Sequence, residues 1–69
     1  MNDKNKFVIT NRDRVLRAWE NSTELVRDYE SYAHEMKEDG KLSALFAEYA
    51  RDEGLHAAKL LELLQGYEK

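Results

Sequence analysis

Glu53 and His56 have the types and spacing in this chain best suited to chemistry. A carboxylate and an imidazole three positions apart stand about one turn from each other on a helix, so both can reach a single ligand. Their place in the surrounding pattern matters more than the spacing. Between Lys41 and Gln65 the apolar residues are Leu42, Leu45, Phe46, Tyr49, Ala50, Ala57, Leu60, Leu61 and Leu64, recurring by threes and fours as on one helix face. The steps of that series between Ala50 and Ala57 fall on Glu53 and His56. Ionisable groups on a buried stripe need strong partners, because an unpaired buried charge is costly. A metal ion shared by the two side chains would meet that need. So would a hydrogen bond between them, or a buried quartet formed with the same pair of a second chain.

Two helices must position these residues. Thr10 is a good N-cap, and Asp13 three residues on completes a capping-box-like pair that also suits the positive end of the helix dipole. From Asn11 to about Glu38 the residues Val15, Trp19, Ser22, Val26, Tyr29, Ala33 and Met36 step by four and three, a heptad-like apolar stripe. Asp39-Gly40 interrupts it: glycine supplies the positive φ that ends a helix, and the aspartate can cap the next. The second helix is expected from about Lys41 to Leu64, with Gly66 as its stop signal. Two helices of roughly 25 residues, each about 37 Å long, then form an antiparallel hairpin. Residues 1–10 read as a flexible N-terminal segment, polar over Met1–Lys6, in which Phe7, Val8 and Ile9 form a short apolar run. Residues 11–69 form the hairpin.

Composition narrows the function classes. A chain of 69 residues supports one small domain, whose core is marginal without a staple. With no cysteine, disulfides, iron–sulfur clusters, thiolate zinc sites and redox dithiols are excluded. The remaining staples are a metal or a partner chain. Leu25 and Tyr32 widen the apolar face of the first helix, and Leu55 and Leu63 that of the second. Pairing two hairpins into a four-helix bundle is expected to bury them. The net charge of -3, with both signs interspersed, lacks the basic stripe that nucleic-acid binding needs, and Arg12, Arg14 and Arg17 are offset by Asp13 and Glu20. The apolar stretches are broken by charges, so no membrane span is expected. No charged-then-apolar leader is recognisable, and the cytoplasm is the expected compartment.

The segment Leu42–Leu64, reading LSALFAEYARDEGLHAAKLLELL, resembles the second helix of rubrerythrin-like and ferritin-like di-iron proteins. In those families an apolar stripe carries Leu-x-x-Leu-Phe, a small residue, Glu-x-x-His-Ala and then leucines. Leu42, Leu45, Phe46, Ala50, Glu53, His56, Ala57, Leu60 and Leu64 occupy those positions, and Tyr29, Ala33 and the Asp39-Gly40 turn fit the first helix. The resemblance covers roughly residues 15 to 65. It implies an all-α fold in which the hairpin is half of a ferritin-like four-helix bundle, completed by homodimerisation as in the encapsulated ferritins. It further implies that Glu53 and His56 of both chains bind metal at the dimer axis, with iron first and manganese or zinc as alternatives. Ferroxidase-like or peroxide chemistry is the reaction class so implied, and peroxide reduction would call on an external redox partner. The family also carries a glutamate on the first helix seven residues before a core tyrosine. Here that place, counted back from Tyr29, holds Ser22. Glu20 has the separation from Glu53 that rubrerythrins use, whereas Glu30 lies nearer the apolar stripe. Both stand as candidate ligands. The alternative is a hairpin of the same shape that binds no metal and serves as a dimerisation or adaptor module.

Other residues read more plainly. Tyr29 and Tyr49 flank the candidate site, at helical spacing typical of core. His34 follows Glu30 by four residues, a spacing suited to a weak surface pair. Gly54 inside the second helix costs about 1 kcal/mol against alanine; close helix approach beside the site would justify it.

Overall fold

A computed structural model describes residues 8–67 of the chain. The capping chemistry of Thr10 begins the first helix. Asp13 donates its backbone N–H to Thr10 Oγ1 at 3.1 Å, and Thr10 donates its own to Asp13 Oδ2 at 2.9 Å. These bonds from Thr10 hold the Asp13 carboxyl below its ordinary pKa. The helix they start, α1, spans Asn11–Glu35. It stops about one turn short of the expected end at Glu38, at Met36, whose backbone N–H still donates to Tyr32 O at 2.9 Å.

The second helix, α2, spans Gly40–Gly66. Asp39 caps it by accepting the Leu42 N–H at 3.2 Å. The expectation of a positive φ at Gly40 is not met: no described glycine has one, and Gly40 is the first helical residue. Asp39 acts as the N-cap, so the reversal is made by extended backbone at Asp39 instead of a left-handed glycine. Gly66 is likewise the last residue of α2 and not a residue beyond it, and Tyr67 is the C-cap. The hairpin is closed beside the turn by Ser43, whose hydroxyl donates to Ala33 O at 2.8 Å.

The helices pack along their stripes. Ala50, Ala57 and Leu64, seven apart on α2, are buried against α1, where Ser22 is the buried residue. Val15, Trp19, Val26, Tyr29, Ala33 and Met36 of α1 are half-buried, as the heptad reading requires. Tyr29, Tyr32, Phe46 and Tyr49 form a ring cluster across the two helices near the turn, with centroids 5.6–6.0 Å apart. The molecule is 11 Å in its thinnest direction, about one helix diameter. A single layer of helices has two broad faces, and among the described residues nothing covers either.

Rotation of about 100° per residue sorts the remaining side chains onto those faces. Leu25 and Tyr32 of α1 lie on one face with Leu42, Phe46, Tyr49, Leu60 and Leu63 of α2; the Tyr32–Phe46 ring contact confirms that the two sets meet. This tyrosine face carries most of the exposed large apolar residues of the two helices. Trp19, Val26 and Ala33 lie on the other face with Ala47 and Gly54. Leu55 corrects the sequence reading. It stands about 140° round α2 from Ala50 and is 71% exposed, on the outer side of the hairpin and away from the tyrosine face. Of the apolar run at 7–9, Val8 and Ile9 are exposed; Phe7 and the polar segment Met1–Lys6 lie outside the described residues.

Candidate functional site

Glu53 follows Ala50 by three residues and Phe46 by seven, which brings its carboxylate to the margin between the helix interface and the tyrosine face. Its side chain is 18% exposed. The carboxylate is held from both sides. Ser22 on α1 donates its hydroxyl to Glu53 Oε2 at 2.5 Å, a bond that crosses the hairpin. His56, one turn along α2, sets its Nδ1 3.3 Å from Glu53 Oε1. The imidazole side chain is 68% exposed, so it stands on the tyrosine face and not beneath it. Against the expectation that both groups lie on the buried stripe, within one chain Glu53 is half-buried at its edge and His56 is exposed. His56 is near 120° from Ala50 by helical rotation, beyond the strip that α1 covers.

Tyr29, Tyr49, Asp52, Glu53 and His56 line one shallow hollow on the tyrosine face. Glu30 lines a different hollow with Ala33, Ala47, Ala50 and Arg51, on the opposite face of the hairpin. Glu20 is exposed on the outer side of α1. Within one chain neither joins Glu53 and His56, and among the described residues no group of three histidine, aspartate or glutamate side chains could hold a metal ion. Ser22 occupies the point on α1 directly opposite Glu53. Its role could not be read from residue type alone, since a serine on an apolar stripe carries no mark of its partner.

What one chain offers a metal is thus two donors, Glu53 Oε1 and His56 Nδ1. They stand 3.3 Å apart, at the outer limit of a hydrogen bond with each other. Two donors are fewer than a structural or catalytic zinc centre takes from its protein. A two-ion centre with carboxylates from both helices does not fit, because the α1 position facing Glu53 is a hydroxyl. No described helix is long and apolar enough to cross a membrane. No family model matches the chain, nor does any curated protein or solved structure.

Proposed function

We propose that the chain is a small metal-binding protein whose hairpins pair through their tyrosine faces into a four-helix bundle, with Glu53 and His56 of both copies as the ligands. The observation that carries this reading is where the pair stands. Glu53 and His56 sit on the face where Leu25, Tyr32, Leu42, Tyr49 and Leu63 remain exposed. Burial of that apolar surface is the main drive available for association, and a two-fold axis through it would bring each pair toward its symmetry mate. Glu20 and Glu30 remain outside the ligand set unless a partner chain presents them. Iron is the metal that the family resemblance favours; when bound, it would supply redox chemistry that the side chains lack. The chain's own groups hold it, orient it and surround it with aliphatic and tyrosine side chains. The test is metal uptake by purified protein. Wild-type protein is expected to bind ferrous iron or zinc in a fixed ratio, and Glu53→Ala combined with His56→Ala to abolish it; equal uptake by that variant would remove these residues from the site.

A second reading has its own support. The Ser22–Glu53–His56 chain of hydrogen bonds already gives both carboxylate oxygens a partner, so the hairpin could serve as a metal-free dimerisation module. Under that reading the melting temperature is indifferent to chelator and to added metal, whereas a metal bound only by the folded dimer raises it.

A further inference from the structure

We propose that the second copy lies antiparallel on the tyrosine face, its turn over this chain's open end, with α1 against α1 and α2 against α2. The inference rests on pairing through that face, not on a bound metal, and it names the partner's orientation. A two-fold axis that turns two such faces toward each other lies in the plane between them. An axis along the helices stacks open end on open end and sets α1 over the partner's α2. An axis across the helices exchanges the ends and sets α1 over the partner's α1.

Charge separates the two arrangements. Ser22 stands level with Glu53, and Ala33 with Ser43, so the open end holds the first turns of α1 and the last turns of α2. Helical rotation places Arg14 and Arg17 on the tyrosine side of α1 at that end, both exposed. Asp28 and Glu35 are exposed on the same side toward the turn. This side is therefore basic at one end and acidic toward the other. Antiparallel pairing about Asn21, midway between Arg14 and Asp28, sets each Arg14 over the partner's Asp28. Parallel pairing sets Arg14 over the partner's Leu60, where, among the described residues, the tyrosine side of α2 carries no carboxylate. It also brings Glu24 beside the partner's Asp52, a pair of like charges. Shape favours the same choice. Ile9, Asp13, Arg14, Arg17, Ala18 and Asn21 line a hollow at the open end. Exchanging the ends lays the partner's Leu25 and Tyr32, both exposed in one hairpin, over that hollow.

The experiment is a distance measurement on the full chain. The wild type has no cysteine, so Lys37→Cys places a single nitroxide label at the turn of each copy. Lys37 lies 16 positions beyond Asn21, and pulsed dipolar spectroscopy of the dimer is expected to give about 48 Å between labels. A distance of about 20 Å or less, two helix diameters, would mean parallel copies; it would overturn the inference and leave pairing through the tyrosine face standing. No dipolar coupling, with the mass of one chain, would overturn both. Charge reversal tests the contact itself. Arg14→Glu is expected to weaken the dimer about five-fold, and adding Asp28→Arg to restore it. A double variant as weak as Arg14→Glu alone would overturn the assignment of Asp28 as the partner of Arg14.

Discussion

Ser22 and Glu53 are separated by 31 positions in the chain and joined by a 2.5 Å hydrogen bond. The position of each on an apolar stripe was legible from spacing alone. Their pairing was not, because it depends on the register of the hairpin, and the turn sets that register. The bond gives Ser22→Ala a definite sign. Serine is a poorer helix former than alanine, so with an idle hydroxyl the substitution would stabilise α1 by a few tenths of a kcal/mol, about 0.5. With the hydroxyl donating to a carboxylate that is only 18% exposed, its removal costs about 1.5 kcal/mol. Urea unfolding of Ser22→Ala is therefore expected to show a lower midpoint than wild type at unchanged slope, and an equal or higher midpoint would mean the bond is not formed in solution. His56 presents the converse case. Its spacing from Glu53 was right, yet its exposure depends on the angle at which α1 crosses the stripe, which no single-helix pattern contains.

The start of each helix was more legible than its end. Thr10 with Asp13, and Asp39 before Leu42, are side-chain-to-backbone devices written in residue type, and both form. The end of α1 has no comparable mark: Met36, Lys37 and Glu38 are all competent helix formers, and the helix yields to the turn at Met36 because Asp39 must leave it to cap α2. Gly54 is the element-scale anomaly. A glycine in the middle of α2 forfeits about 1 kcal/mol against alanine, and close approach to α1 does not account for it, since a Cβ built there meets nothing within 4 Å. Gly54 lies with Ala47 on the face opposite the tyrosine face. If hairpins pair through the tyrosine face, Gly54→Ala should stabilise the protein by about 1 kcal/mol per chain. A loss of stability would instead mean that another backbone presses against that face.

At the scale of the molecule, the decisive fact is that two helices 25 and 27 residues long bury only Ala50, Ala57 and Leu64 among their apolar side chains. Three residues, two of them alanine, are a small core for a chain whose ordering entropy grows with every residue. The tyrosine face supplies what is missing only if something covers it, and the proposed second copy would bring the same leucines and tyrosines to it. The mass in solution should then be that of two chains at micromolar concentration, and the melting temperature should rise with protein concentration, because unfolding and dissociation are coupled. Charge substitutions locate the interface. Leu63 is 47% exposed in one hairpin, so Leu63→Glu does little to the hairpin itself but places two unpaired carboxylates inside the paired face, and should yield single chains. Leu55→Glu, at a more exposed leucine on the outer side, should leave the dimer intact. Dissociation by Leu55→Glu with Leu63→Glu silent would move the proposed interface to the outer side of α2, away from His56. Wild-type protein with the mass of one chain would dissolve the site altogether, since a single hairpin has two donors and no third.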